Sequence, residues 1–369
     1  MIKHFNLNNV EDYLPLLFYC ITAFTISVLF FPVLIKLLKQ WKLFDSPADH
    51  KIHQTFIPSM GGVCIMLGVF FTLLIAFPFS EWVHLKYFFV ALVAIFITGL
   101  RDDVLTLDPK RKLLGQLLPA LILVVFGHVS LNSFYEIYPT EFPQWISWSL
   151  TIFTIIILTN SYNLIDGLDG LAGLIGFIIL SFFGWWFFST SQLYLAIIAF
   201  SFSGAILAFL VFNWQPSKIF MGDTGALSIG FVISFLAIQF INQNFNLPSS
   251  HLVRFQASIS TVVCVLIIPI FDTFRVIILR LRKLQSPFRA DKNHLHHQFI
   301  NLGFSHANSV LIIGAINISF VVLAWILRYK PDTVILPLVI FICLIINQVL
   351  KIATKKYVSN RTKGSIAKD

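Results

Sequence analysis

The feature that most limits what this chain can fold into is a series of apolar runs of membrane-spanning length. About 20 apolar residues cross the roughly 30 Å hydrocarbon core of a bilayer as a helix. Such runs occupy about 12–37, 60–78, 85–100, 113–128, 146–162, 171–188, 193–212, 225–242, 256–279, 308–327 and 334–350. Because helices satisfy their own backbone polar groups in lipid, the runs predict an all-α, polytopic integral membrane protein with about eleven transmembrane helices.

The distribution of Lys and Arg predicts an orientation. Alternate loops carry twenty of these residues on one side and five on the other, and Arg275 lies within a run. Because cytoplasmic loops carry the basic excess, the N-terminus is expected outside and the C-terminus in the cytoplasm. This topology accounts for the net charge of +9 without a nucleic-acid partner. Residues 351–369 are expected to form a basic cytoplasmic tail after a single transmembrane domain over residues 1–350, and the stretch YVSNRTKGSIAKD within this tail is expected to be disordered.

Ten of the seventeen acidic residues are aspartates in short polar gaps on the basic side. Ionisable groups beside hydrocarbon are expensive, so a set of them indicates a function. Asp102 and Asp103 close the third run, and Lys112 follows about two turns later. One carboxylate can bind a divalent cation while the other meets a substrate, and Lys112 can hold phosphate oxygens. A solvated helix end is the alternative for this pair.

The end of the fifth run carries a second polar group. Asn160, Asn163 and Asp166 are spaced by three, which places them on one helix face, and Asp169 follows in a glycine-rich turn. Hard oxygen ligands of this kind suit Mg²⁺ or Mn²⁺ rather than zinc. A capped helix break is the alternative, although four polar side chains exceed what a cap requires.

Asp223 lies between glycines just before the eighth run. It could bind a metal beside a pyrophosphate at a helix N-terminus, or it could simply cap that helix.

Asp272 and Arg275 stand three residues apart near the end of the ninth run, where an ion pair within one helix is their simplest role.

A histidine cluster follows the ninth run. His294, His296 and His297 come after Arg289, with no carboxylate or thiol pattern that would favour zinc. Partly protonated imidazoles complement anions, so these side chains are predicted to bind a phosphate or a nucleotide.

Together these gaps predict a two-substrate phosphoryl-transfer site at one membrane face. A transporter would bury its charges near the middle of the bilayer and often shows internal repeats, whereas these charges lie at the ends of runs. A CDP-alcohol phosphotransferase would need an Arg soon after the Asp-Gly pair and further acids downstream, and the segment 171–188 supplies neither.

Five ordered motifs carry a family resemblance. They read DSPADHKIHQTFIPSMGG, GLRDDVLTLDPKRKLLGQ, NSYNLIDGLDGLAG, FNWQPSKIFMGDTGALSIG and SPFRADKNHLHHQFINLGFSH. In this order they resemble the signatures of the polyprenyl-phosphate N-acetylhexosamine-1-phosphate transferases, over about residues 15–350. The HLHH motif resembles the branch that uses UDP-N-acetylglucosamine. The alternative is the phospho-N-acetylmuramoyl-pentapeptide transferase branch, which usually shows three consecutive histidines, and Gln298 interrupts such a run here.

The resemblance implies transfer of N-acetylglucosamine 1-phosphate from UDP-N-acetylglucosamine to undecaprenyl phosphate, at the cytoplasmic face of a bacterial inner membrane. It implies Mg²⁺, or Mn²⁺ as an alternative, and a role in building a cell-envelope polysaccharide. A homodimer is compatible with the chain, although no residue pattern supports one.

The resemblance also assigns roles to individual residues. Asp223 and Asn163 would bind the metal, and Asp102 and Asp103 would orient or deprotonate the lipid phosphate. The remaining residues would bind the nucleotide sugar and its phosphates: Lys112, Asn160, Asp166, Asp169, Arg289, His294, His296 and His297.

Overall fold

The computed structural model of the chain describes residues 10–41, 57–284 and 294–366. These ranges are helical apart from loops and one isolated β-bridge between Ser59 and Phe220. The helices are α1 (Val10–Trp41), α2 (Gly61–Ala76), α3 (Phe79–Leu105), α4 (Pro109–Leu121), α5 (Gln144–Leu164), α6 (Leu171–Ser189), α7 (Leu193–Asn213), α8 (Gly222–Asn246), α9 (Ser258–Val265), α10 (Ile267–Arg282), α11 (Leu295–Asn301), α12 (His306–Ile326) and α13 (Asp332–Ile366). A π-helical turn, Ile122–Phe126, extends α4.

The all-α prediction is confirmed, and each predicted apolar run lies on a helix or on a pair of helices. In the described ranges, seven helices are long and apolar enough to cross a membrane, or eight if α9 and α10 form one bent span. The figure of eleven stays a prediction, because α2 has 16 residues and α4 has 13. The expectation of a disordered tail is wrong as far as Ile366, because α13 continues to that residue.

Helix α8 forms the centre of the bundle. Its apolar stretch is 94% buried, against 17% for α1 and 22% for α13, which lie at the periphery. It packs against α3 and α5, while α7 packs between α1 and α6. Small residues bring helices into close contact. A Cβ on Gly204 of α7 would lie 2.0 Å from the carbonyl oxygen of Cys20 in α1, so only glycine fits there.

Two prolines leave backbone carbonyls that side chains from other helices satisfy. Pro119 has no amide for the carbonyl of Gly115, which instead accepts a hydrogen bond from Thr98 Oγ1 at 3.2 Å. Pro269 likewise leaves the carbonyl of Val265 free, where the chain bends by 83° between α9 and α10. The buried Asn317 of α12 donates its Nδ2 to that carbonyl at 3.2 Å.

The bend therefore depends on Asn317, and Asn317→Ala should lower the unfolding temperature. The change leaves a buried carbonyl without a donor, which costs about 1–3 kcal/mol. A thiol-reactive dye can follow unfolding, because Cys64, Cys264 and Cys343 are buried. Ser319→Ala is the matched control, since that exposed hydroxyl bonds only to its own helix at Ala315. Equal unfolding temperatures for the two variants would contradict this role for Asn317.

Candidate active site

The N-terminus of α8 is built by close backbone contacts from two other helices. The segment before α2 pairs with the segment before α8, and Gly62 donates its amide to the carbonyl of Met221 at 2.9 Å. A Cβ on Gly62 would lie 2.0 Å from the amide nitrogen of Gly225, and one on Gly99 would lie 2.5 Å from the carbonyl oxygen of Asp223. These glycines let α2 and α3 hold the first turn of α8 in a fixed position.

Asp103 caps α8 from the end of α3. Its Oδ1 accepts the amide of Asp223 at 2.7 Å, and its Oδ2 accepts the amide of Thr224 at 2.9 Å as well as the Thr224 hydroxyl. Helix α8 has no cap from its own side chains. The alternative that Asp223 caps this helix is therefore wrong, and its carboxylate is directed elsewhere. The sequence did not indicate that Asp103 would fill this role.

The Asp223 carboxylate is the centre of the polar cluster. Its Oδ1 lies 2.5 Å from Lys112 Nζ and 2.5 Å from Asn163 Nδ2. Lys112 Nζ also lies 3.0 Å from Asp102 Oδ2, and Asp102 Oδ1 accepts the amide of Leu107 at 2.7 Å. The ends of α3 and α5 and the beginnings of α4 and α8 thus bring together four residues singled out in the sequence. We call Asp102, Lys112, Asn163 and Asp223 the central cluster.

Charge determines the state of the lysine in this cluster. Burial alone would lower the pKa of Lys112, but the carboxylates of Asp223 and Asp102 outweigh burial and raise its pKa above the usual value. The side chain therefore remains an ammonium ion, about one fifth exposed, beside the more accessible Asp223. An ammonium at this point can donate hydrogen bonds to phosphate oxygens.

Asn160 pairs with a residue that the sequence reasoning missed. Gln116 Nε2 donates to Asn160 Oδ1 at 3.1 Å, and Asn160 Nδ2 donates to Gln116 Oε1 at 2.6 Å. This reciprocal amide pair joins α4 to α5 one turn away from Lys112 and Asn163. The two hydrogen bonds fix the position of α4 relative to α5. The signal available in the sequence was a glutamine one turn after Lys112, inside a predicted apolar run.

Asn213, at the end of α7, holds the Asp-Gly turn that follows α5. The amide of Gly170, which has a φ of 83°, donates to Asn213 Oδ1 at 2.7 Å. Asn213 Nδ2 donates to the carbonyl of Ile219 at 2.9 Å, so one buried amide connects this turn to the segment that leads into α8. Asp166 and Asp169 lie on the turn, half-buried and beyond the end of α5. The expected shared helix face therefore covers Asn160 and Asn163 and stops before Asp166.

His296 packs against the Asp-Gly turn, and the rings of His294 and His297 lie on either side of it in sequence and close to it in space. A Cβ on Gly167 would meet His296 Cε1 at 2.6 Å, so α11 packs directly on the Asp-Gly turn. The His296 ring lies 4.3 Å from that of His297 and 5.9 Å from that of His294, between ring centroids. Burial, followed by the neighbouring His297, lowers the pKa of His296 to about 3. A neutral imidazole follows, so the prediction of partly protonated imidazoles is wrong for His296.

Asp272 anchors α11. It is buried, and the predicted ion pair with Arg275 is present at 3.6 Å. Its Oδ2 also lies 2.9 Å from His294 Nδ1, and its Oδ1 accepts the amide of Leu295 at 2.7 Å. One carboxylate thus orients the His294 ring and caps a short helix that has no cap of its own.

The structure brings most of the predicted site residues near one another, and their roles stay predictions. The central cluster, the Asp103 cap and the turn with its histidines lie at one end of the bundle, where α3 and α5 end and α4, α8 and α11 begin. Arg289 and the motif at 45–53 lie outside the described residues. Within those residues, no three His, Cys, Asp or Glu side chains form a metal-binding group. Any cation here would need additional ligands from amides, water or substrate.

This geometry defines a helical protein with membrane-length spans and a charged polar site at one end of its bundle. The sequence model of glycosyl transferase family 4 matches residues 85–241, which include the central cluster. A Bacillus subtilis strain 168 protein named "Probable undecaprenyl-phosphate N-acetylglucosaminyl 1-phosphate transferase" is 33% identical over 337 residues, covering 89% of this chain and 90% of the relative.

Two further relatives carry the name undecaprenyl-phosphate alpha-N-acetylglucosaminyl 1-phosphate transferase. The Escherichia coli O157:H7 protein is 30% identical over 348 residues, with 91% of both chains covered. The Yersinia pestis protein is 26% identical over 344 residues, with 90% of both chains covered. The chain therefore belongs to glycosyl transferase family 4, and the predicted family resemblance is confirmed.

The neutral state of His296 predicts a measurable acid sensitivity. An unfolded histidine takes up a proton below about pH 6.5, whereas the folded one resists protonation down to about pH 3. The buried, neutral His296 therefore lowers the free energy of unfolding only in acid. Its effect is absent above about pH 6.5, and below that pH the free energy of unfolding falls by about 1.4 kcal/mol for each pH unit. His296→Phe should therefore lose less stability than the unsubstituted protein between pH 7.5 and pH 5.

The measurement is the change in unfolding temperature between these two pH values. His128→Asn is the control, because His128 is exposed and asparagine tolerates its left-handed φ of 52°. An identical loss in the unsubstituted protein and in His296→Phe would contradict the buried, neutral imidazole.

Proposed function

We propose that this protein transfers N-acetylglucosamine 1-phosphate from UDP-N-acetylglucosamine to undecaprenyl phosphate, releasing UMP. The observation that carries the proposal is the central cluster, in which one ammonium and two carboxylates meet where four helices converge. The names of the relatives support the N-acetylglucosamine branch over the muramoyl-pentapeptide alternative. The product, a lipid-linked pyrophosphoryl sugar, would begin a cell-envelope polysaccharide.

The proposed chemistry is a direct displacement. An oxygen of the lipid phosphate attacks the phosphorus that carries the sugar, the bond from that phosphorus to the bridging oxygen breaks, and UMP leaves with that oxygen. This reaction needs positioning and charge compensation more than covalent participation by the protein. Lys112 would donate to the phosphoryl oxygens while Asp102 holds its ammonium in place. Asp103 would act by fixing α8, because both of its oxygens already accept hydrogen bonds.

Asp223 and Asn163 fit a hard divalent cation, with Mg²⁺ preferred and Mn²⁺ as the alternative. The Asp223 side chain is 27% exposed, and turning the Asn163 amide over would present its oxygen to the same point. Because these residues supply few ligands, water and substrate phosphates would complete the coordination, as Mg²⁺ sites commonly require. When bound, the cation would compensate charge on the transferred phosphoryl group.

The remaining residues would form the nucleotide-sugar side of the site. Asp166 and Asp169 lie on the turn that contacts α11, and the neutral His296 can donate one hydrogen bond and accept another. His294 would be held by Asp272 for a phosphate or nucleotide contact. We place this end of the bundle at the cytoplasmic face of a bacterial inner membrane, with the N-terminus outside, as the distribution of Lys and Arg favours. Assembly as a homodimer stays a prediction.

The proposal predicts UMP release with UDP-N-acetylglucosamine, undecaprenyl phosphate and Mg²⁺, and no release with UDP-muramoyl-pentapeptide. Chelation should abolish turnover, and Mg²⁺ or Mn²⁺ should restore it. Asp223→Asn and Lys112→Gln should each reduce kcat by about 100-fold or more, since both compensate charge in the transition state.

Lys110→Gln is the matched control for these variants. It removes one positive charge two residues from Lys112, from an exposed side chain that forms no ion pair within the part of the chain that the structure describes. Its activity should stay close to that of the unsubstituted protein. Failure of the folded protein to use any UDP-N-acetylhexosamine would overturn the proposal, and full activity of Asp223→Asn would refute the role given to that residue.

Direct displacement further predicts no isotope exchange between labelled UMP and UDP-N-acetylglucosamine when undecaprenyl phosphate is absent. A two-step route through a phosphorylated aspartate would permit such exchange, because the first step would not need the lipid. Exchange at a rate comparable to kcat, or a trapped phospho-enzyme, would exclude the direct route.

A further inference from the structure

A groove between α3 and α4 lies next to the central cluster and is lined by other residues. Its cavity has a volume of about 370 Å³ and is lined by residues from the last turns of α3, the loop after it and the first turns of α4. None of the four residues of the central cluster lines it. The groove is therefore separate from the position that the proposed function gives to the reacting phosphate.

The mouth of the groove is basic. Arg101 and Arg111 both line it, and both are exposed. Arg111 is partly neutralised by Asp108, whose Oδ2 lies 3.1 Å from its Nε. Arg101 has no ion pair among the residues that the structure describes, so it contributes an uncompensated positive charge. Asp102 and Asp103, its neighbours in sequence, point into the bundle, which leaves Arg101 on the outer side of α3.

The rest of the groove is apolar. Ile97 and Leu114 line it and are 56% and 65% exposed, which is typical of side chains that face lipid. At its floor the helices are in close contact, because a Cβ on Gly115 would lie 2.3 Å from Thr98 Cγ2. The hydroxyl of Thr98 already bonds to the carbonyls of Ala94 and Gly115, so the floor offers no free donor to a polar ligand.

This arrangement matches the shape and charge of an anionic membrane lipid. An acyl chain suits the exposed aliphatic face of α3 and α4, and a phosphodiester suits a guanidinium at the helix ends. One negative charge on the lipid would balance the one uncompensated charge at Arg101. We propose that the groove between α3 and α4 binds an anionic glycerophospholipid, with its phosphate at Arg101 and Arg111 and an acyl chain along Ile97 and Leu114.

The test uses the full chain in nanodiscs that contain a photoactivatable phosphatidylglycerol or, separately, a photoactivatable phosphatidylcholine. Mass spectrometry locates the labelled peptides. Because one basic residue near a membrane surface is worth about 1 kcal/mol, phosphatidylglycerol should label the α3–α4 segment about fivefold more than phosphatidylcholine. The double variant Arg101→Gln, Arg111→Gln should remove this difference, whereas Lys110→Gln, which lies outside the groove, should retain it.

Several outcomes would overturn the proposal. One is equal labelling by the two lipids, and another is unchanged selectivity in a double variant whose unfolding temperature matches that of the unsubstituted protein. Stronger competition by undecaprenyl phosphate than by unlabelled phosphatidylglycerol would assign the groove to the acceptor lipid instead. A protein–protein cross-link through this segment would assign it to a second copy. Labelling requires no turnover, so the result is independent of the proposed transferase activity.

Discussion

The site depends on how the central helix begins. Helix α8 is almost entirely buried, and the free amides of its first turn need acceptors inside the protein. Asp103 supplies them from α3 through both carboxylate oxygens. A negative charge at this position is also favourable because it faces the positive end of the helix dipole. Because a neighbouring helix caps α8, the Asp223 side chain in the same turn is available to Lys112 and Asn163.

The backbone contacts around that turn make the arrangement rigid. Gly62 and Gly99 bring α2 and α3 so close to the start of α8 that a single methyl group would collide with its backbone. Asn213 connects the same region to the Asp-Gly turn, and Gly167 on that turn contacts His296. Direct contacts among five helices, α2, α3, α7, α8 and α11, thus position the polar side chains. Positioning of this kind is what phosphoryl transfer mainly requires from a protein.

Sequence alone could predict the helices and much of the site, because apolar runs and polar gaps are local patterns. It predicted Asp102, Lys112, Asn163 and Asp223 as members of one site, and the structure brings them into contact. It could not predict that Asp103 would cap α8, because the two lie 120 positions apart. The pairing of Asp272 with His294 and the neutral state of His296 likewise depend on tertiary burial, which no spacing along the chain reveals.

The charge balance of the central cluster explains why a cation is part of the proposed function. Asp102 and Asp223 carry two negative charges against one on Lys112, so the cluster is net negative even before a phosphate arrives. Asp103 is left out of this count, because the amides at the start of α8 offset its negative charge. Two substrates that both carry phosphate would be repelled by such a cluster. One divalent cation at Asp223 would reverse the sign of the cluster, and Lys112 would then face the phosphoryl oxygens with Asp102 as its remaining counterion.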